Sequence, residues 1–356
     1  MDVTARARAD SAFNDRFEIG DRLGMGGMGS VYRGLQRVLN RPVAIKFMAP
    51  ELSADRAYVD RFLSEARLAA SLVHGSVVAV FDFGLLGDVP YLVTEFVPGA
   101  TLNDLLKERS TLTVEETLAI ARGVLDGLAA IHKLGIVHRD IKPANLLVIP
   151  GNPPGVKILD FGIAKQTSGP PLELDAPRTA AGMVMGTPEY MAPEQAAGDR
   201  ITPAADVYAF ALVLYRMIVG QQAFRAESAL ELLRMQIHKE ASVPDAVLPA
   251  WREVLLRGLA KRPKDRAGSA DEMRALLERA APDALAAGGF MRGANGAGAG
   301  SRLEVPGETA PTPVVSELGT AEAPRARDVE TVASVVAPAP PPAPGASAKS
   351  VALAAL

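Results

Sequence analysis

The sequence predicts an α+β fold on three observations. Short β-type segments, Ser30–Arg33 and Pro42–Phe47, sit near the N-terminus beside a glycine-rich stretch. Segments with apolar residues at helical spacing follow, at 60–73, 113–135 and 202–219. Strands gathered early and helices late is the order expected when the two segregate in space. From about Ala281 the composition turns to Ala, Gly, Pro, Ser and Thr. Such composition cannot bury enough apolar surface to offset chain entropy, so residues 281–356 are expected to be a disordered tail.

The glycine-rich stretch is Leu23-Gly24-Met25-Gly26-Gly27-Met28-Gly29-Ser30-Val31. Glycines at 24, 26 and 29 remove side chains where backbone has to approach phosphate oxygens, and they permit dihedrals that strain other residues. Taken alone the pattern fits a dinucleotide fingerprint or a flexible turn equally well. The dinucleotide reading requires a helix directly after the third glycine. Here two strand-like segments follow, which favours a hairpin folded over a nucleotide.

Lys46 lies in the second of those segments, where an unpaired ammonium is costly, so it needs anionic partners. Glu65 is the expected one. It falls in a helix over 60–73 whose apolar face is Phe62, Ala66, Ala69 and Val73. A solvated glutamate on an amphipathic helix is the plain alternative. Thr113-Val114-Glu115-Glu116 is a capping box, and Leu118, Ala121, Leu125, Leu128 and His132 continue one helical face as far as Gly135. Thr202 and Pro203 read as N-cap and first residue of an apolar helix that stops at Gly220. That helix is too short and too charged, with Asp206 and Arg216, to span a membrane, and reads as a buried core helix.

Between these helices lies His138-Arg139-Asp140-Ile141-Lys142-Pro143-Ala144-Asn145, with Asp160-Phe161-Gly162 shortly after. Phosphoryl transfer leaves a protein little covalent work. It needs a group to take the attacking hydroxyl's proton, cations on the transferred phosphate, and ligands for metal ions. Asp140, Lys142 and the Asn145/Asp160 pair are of the right types in that order. Asp160 offers the hard oxygen that Mg²⁺ prefers, and Asn145 a neutral oxygen. A structural aspartate capping a turn is the plain alternative for Asp140. His138 reads as a core packing residue, as do His132, His74 and His238, whose spacing makes no metal site.

Together with Val43-Ala44-Ile45-Lys46 and Ala192-Pro193-Glu194, these segments resemble the bacterial eukaryotic-like Ser/Thr protein kinases over roughly residues 17–280. The resemblance implies a bilobal fold, with a small β-rich N-lobe at 17–94 and a larger helical C-lobe at 98–280, preceded by an N-terminal extension at 1–16. It implies ATP and Mg²⁺ as cofactors, with Mn²⁺ as an alternative ion, and protein substrates carrying Ser or Thr. It places Asp140, Lys142, Asn145, Lys46 and Thr187 in catalysis and Asn145 and Asp160 on metal. Nucleotide contacts are expected from residues 23–31, Ala44, Lys46, Glu65, Leu147 and the hinge residues Glu95 and Val97, with Thr94 as gatekeeper. Asp206 is implied to anchor the catalytic-loop backbone, and Arg266 to pair with Glu194.

The long segment from Ile163 to Met191 matches an activation segment, and stretches of this kind in compact domains are usually functional or disordered. Arg139 is implied to bind a phosphate on it, with Thr179 the favoured phosphosite and Thr167 and Ser168 the alternatives. Kinase–kinase contacts for trans-autophosphorylation are implied as well. His74-Gly75-Ser76-Val77, the long Pro150–Gly155 turn and the small Ala69 depart from the family pattern, but none removes a catalytic group. A pseudokinase and a small-molecule kinase are the rival readings. The Ala-Pro-Glu segment and phosphosite loop weigh against the small-molecule kinase.

Length allows about two domains by the prior of roughly 150 residues each. The absence of cysteine excludes disulfides and thiolate zinc sites. A net charge of -3 gives no electrostatic case for nucleic acid. The N-terminal residues have no apolar h-region, so a cytoplasmic location is expected. Ser350–Leu356 is apolar but far short of a span, leaving a frayed tail or the start of a membrane helix continuing past residue 356.

Overall fold

The computed structural model describes residues 3–26, 29–109, 111–160 and 188–291. Two short helices, α1 (Val3–Ala9) and α2 (Ser11–Asn14), open the chain. The strands β1 (Phe17–Gly26), β2 (Gly29–Gln36) and β3 (Arg41–Met48) follow. Next come α3 (Pro50–Ser53), α4 (Arg56–Ala70), β4 (Val80–Leu86) and β5 (Val89–Glu95). The strands form one antiparallel sheet in the order β1-β2-β3-β5-β4, the β-rich lobe expected from the resemblance.

Alternation along β3 assigns its side chains to two faces. Val43, Ile45 and Phe47 join Phe17, Tyr32, Tyr91 and Val93 in a core on one face, while Ala44 and Lys46 line a cleft on the other. The N-terminal extension is part of that first core. Ala7 of α1 and Phe13 of α2 are buried in it, and the Phe13 ring meets Tyr91 edge-on at 5.1 Å. Burying a ring of that size contributes on the order of 2–3 kcal/mol.

Gly29 is the loop glycine whose geometry demands glycine. Its φ is +139°, and a Cβ there would lie 1.9 Å from the Phe47 carbonyl oxygen across the β2–β3 ladder. The close pairing of β2 with the strand that carries Lys46 therefore depends on it.

The second lobe begins with β6 (Ala100–Thr101), α5 (Leu102–Arg109) and α6 (Val114–Lys133). The hairpin β7 (Leu146–Ile149) and β8 (Gly155–Ile158) completes a three-stranded sheet with β6. Then come α7 (Pro193–Ala197), α8 (Ala204–Val219), α9 (Ala229–His238), α10 (Pro249–Gly258) and α11 (Ala270–Ala287). The capping box at Thr113 is formed in full, and Leu118, Ala121, Leu125 and Leu128 are buried as the periodicity predicts. In α8 every residue except Arg216 and Val219 is buried, the signature of a central core helix. Among the described residues no helix is long and apolar enough to cross a membrane.

Three boundaries differ from expectation. The helix carrying Glu65 runs over 56–70, so Val73 lies beyond its end and is 90% exposed instead of facing the core. Pro203 is the N-cap of α8 and Thr202 stands outside it, although the stop at Gly220, with φ +77°, is as predicted. The expected tail boundary at Ala281 falls inside α11, which passes through Pro282 to Ala287. Burial of Ala281 and Ala284, with the Phe290 ring 4.7 Å from Trp251, outweighs the backbone bond that the proline forfeits.

Candidate active site

A cleft lies against the Ala44/Lys46 face of β3. Leu23, Val31, Ala44 and Leu147 give it apolar walls, while Thr94, Glu95 and Val97 run along one edge and Lys46 and Asp160 line it too. All nine are residues that the sequence singled out, eight for the nucleotide and Asp160 for its metal. Gly24, Met25, Gly26, Gly29 and Ser30 are in the β1–β2 hairpin, with Met25 62% exposed, and do not line the cleft. Glu95 is held in place by its own side chain, which pairs with Lys157 of β8 at 2.7 Å. With Thr94 lining the cleft, Thr94→Met should weaken inhibitors that reach past it by about tenfold, a modest overpacking penalty. The KM for ATP should stay near wild type. Equal loss for both ligands in a titration would show that Thr94 does not gate the rear of the cleft.

Beside the cleft, the 138–145 loop is held from below. The fully buried carboxylate of Asp206 accepts from the backbone N–H groups of His138 and Arg139, each at 2.7 Å, and its Oδ2 also meets His132 Nε2 at 2.8 Å. This is the anchor expected for Asp206. Asn145 donates through Nδ2 to the Asp140 carbonyl at 2.8 Å and to Asp140 Oδ2 at 3.1 Å. Lys142 Nζ lies 3.3 Å from the same carboxylate. The two N–H donors of Asn145 are thus spent on Asp140, and its Oδ1 is left buried without a hydrogen-bond partner.

Asp160 is placed through its neighbour. Leu159 donates its N–H to the Asn145 carbonyl at 2.9 Å, and its carbonyl accepts from His138 Nε2 at 2.9 Å. With Nε2 protonated, His138 Nδ1 is the acceptor for the Asp140 N–H at 3.3 Å. His138 is buried, as a packing residue should be, but it also ties the Asp140 loop to the chain just before Asp160. His132 likewise does more than pack. Neither role has a periodicity signal, because both depend on ring hydrogen bonds to distant backbone or carboxylate. Arg139 and Asp160 have φ of +63° and +46°, two of the three left-handed non-glycine residues among those described. Strain of about 1–3 kcal/mol per residue clusters at functional sites.

Lys46 does not pair with Glu65. Its Nζ is 2.8 Å from Asp160 Oδ2, and among the described residues Glu65 has no ion pair. Burial pushes the Glu65 carboxyl up to about 7 against the pull of Arg139 and Arg61. The expectation for Glu65 is corrected accordingly: it sits apart from both Lys46 and the cleft lining.

The remaining predicted anchor is present. Arg266 forks onto Glu194 with two bonds of 2.7 Å, both side chains almost wholly buried. Gly27, Met28, Phe161, Gly162, Thr167, Ser168, Thr179 and Thr187 lie outside the described residues.

The protein kinase domain family matches residues 17–278. The chain belongs to the protein kinase family. Serine/threonine-protein kinase PknL of Mycobacterium tuberculosis is 35% identical over 288 residues, covering 80% of this chain and 70% of that protein. PknB of Mycobacterium leprae is 36% identical over 274 residues, covering 75% of this chain but 43% of its own length. The crystal structure of the Mycobacterium tuberculosis PknI kinase domain superposes with a TM-score of 0.57 at 28% identity, covering 74% of this chain and 96% of that one. The kinase is therefore a bacterial eukaryotic-like Ser/Thr protein kinase with the bilobal fold, and as a member of that family it uses ATP and a divalent metal ion and acts on proteins.

Proposed function

We propose that the kinase transfers the γ-phosphate of ATP at the Asp140 carboxylate, with Mg²⁺ held by Asn145 Oδ1 and Asp160. The observation that carries this reading is the orphaned Asn145 oxygen. A buried amide oxygen without a donor costs about 1–3 kcal/mol, and a hard cation is the partner that suits it. When bound, the metal neutralises charge on the phosphates.

The chain's own groups do the rest. The Asp140 carboxylate, oriented by Asn145, takes or aligns the proton of the attacking Ser or Thr hydroxyl. Lys142, at 3.3 Å from it, supplies positive charge to the γ-phosphate. Lys46 serves the α- and β-phosphates, and the hinge backbone at Glu95 and Val97 takes the adenine. The resemblance gives Thr187 the role of a contact for the acceptor residue.

We further propose that the Lys46–Asp160 pair, with Glu65 apart, is a resting arrangement. Phosphate on Thr179 would bring about -1.5 to -2 charge and strong acceptors that pair with the Arg139 guanidinium beside Asp140. Trans-autophosphorylation between two copies is the route to it. Mass spectrometry after incubation with ATP and Mg²⁺ should find Thr179 modified, and Thr179→Ala should lower activity on an added substrate. A fully active enzyme with Thr179 unmodified refutes the switch.

A further inference from the structure

Gln236 is a fully buried polar residue of α9, and its side chain bonds account for why an amide is there. Its Nε2 donates to two successive backbone carbonyls, Pro188 at 3.2 Å and Glu189 at 2.9 Å. Its Oε1 accepts from the Tyr208 hydroxyl of α8 at 2.7 Å. Lys261 Nζ in turn donates to the Tyr208 oxygen at 2.9 Å and to the Gln236 carbonyl at 2.8 Å.

The order of donors fixes the amide. A lysine ammonium only donates, so the Tyr208 hydroxyl must spend its own proton on Gln236 Oε1. That leaves the Gln236 NH₂ facing the Pro188 and Glu189 carbonyls. A flipped amide would set oxygen against two carbonyl oxygens and leave the hydroxyl proton unmatched. Gln236 thus holds the turn at 188–190 while Tyr208 and Lys261 hold Gln236.

The other side of that stretch touches the catalytic loop. Gln195 Nε2 donates to the Arg139 carbonyl at 3.1 Å, one residue before Asp140, and its Oε1 accepts from the Ala192 N–H at 3.1 Å. Tyr190 is tied to α8 through Arg216 at 3.0 Å. Residues 188–195 therefore run from α9 to the Asp140 loop, where a protein acceptor bringing a hydroxyl to Asp140 would meet them. Water attacking the same phosphate needs no such contact.

We infer that Gln236 is a positioning residue for the protein substrate, holding the Pro188–Glu189 backbone at the height that presents an acceptor Ser or Thr to Asp140. The inference rests on the Asp140 reading above. It distinguishes Gln236 from a residue that only anchors α9, because a structural anchor supports transfer to any acceptor equally.

The test compares two acceptors in the full chain with casein as a generic phosphoacceptor protein. Gln236→Met removes both donated bonds, and Gln236→Glu keeps the acceptor for Tyr208 but not the donors. Both should raise KM for casein about tenfold, the effect of one to two lost hydrogen bonds. KM for ATP and the slow hydrolysis of ATP to water should stay at wild-type values. Tyr208→Phe leaves Gln236 in place and frees the amide to flip, so it should move the casein KM in the same direction by a smaller factor even if the Gln236 variants fold poorly. An unchanged casein KM in any folded variant of Gln236, or a loss shared equally by casein phosphorylation and ATP hydrolysis, overturns the inference. A wild-type enzyme that hydrolyses ATP but phosphorylates no protein instead defeats the underlying reading of Asp140.

Discussion

Asp140→Asn should lower kcat for phosphorylation of an added protein about 10²- to 10⁴-fold, the usual contribution of a positioned proton acceptor. The amide keeps an oxygen that can accept from Asn145 Nδ2, now at 3.1 Å from Asp140 Oδ2, so the loop geometry survives the change. What goes is the negative charge that Lys142 faces at 3.3 Å and the basicity that takes up a hydroxyl proton. The cleft walls contain neither residue, so nucleotide binding should be retained. Steady-state kinetics with a fluorescent-nucleotide titration in parallel checks both halves. Turnover within tenfold of wild type would remove Asp140 from the chemistry.

Arg266→Met should destabilise the kinase domain by about 3–5 kcal/mol, the penalty for stranding one member of a buried ion pair. Glu194 is 4% exposed and would lose both guanidinium bonds. The carbonyls of Ala260, Lys261 and Ala204, at 2.6, 2.7 and 3.0 Å from the same guanidinium, would lose theirs as well. Replacing both partners with Met should restore part of the loss, because no uncompensated charge then remains. Urea denaturation of the single and double variants measures this. A single variant within about 1 kcal/mol of wild type would mean that Glu194 finds solvent or another cation.

The parts of the fold legible in the sequence are those fixed by local chemistry. Gly29 needs a φ few residues adopt, Thr113 and Glu116 form a reciprocal cap, and the alternation of Val43, Ile45 and Phe47 with Ala44 and Lys46 separates core from cleft. The partner of Lys46 was not legible. Asp160 and Glu65 are both carboxylates, and which of them meets Lys46 depends on how the strand, the helix and the 160 segment are placed in space, a tertiary property. Phe13 and Ala7 carry no periodicity long enough to announce α1 and α2, which are held by the sheet face they cover. The composition change at Ala281 reads as the start of a tail, yet α11 continues through Pro282, with Ala284 buried. His138, His132 and Gln236 were hidden for one reason: each acts by hydrogen bonds to groups 20 or more residues away, and no spacing rule encodes these.

The most direct measurement is phosphoamino-acid analysis of the wild-type chain and of added casein after incubation with γ-labelled ATP and Mg²⁺, with Asp140→Asn alongside. Label should appear as phosphothreonine and phosphoserine in the wild-type reaction and be lost with Asp140→Asn. Nucleotide bound without any transfer to protein, or label persisting undiminished in the Asp140→Asn reaction, would contradict the account.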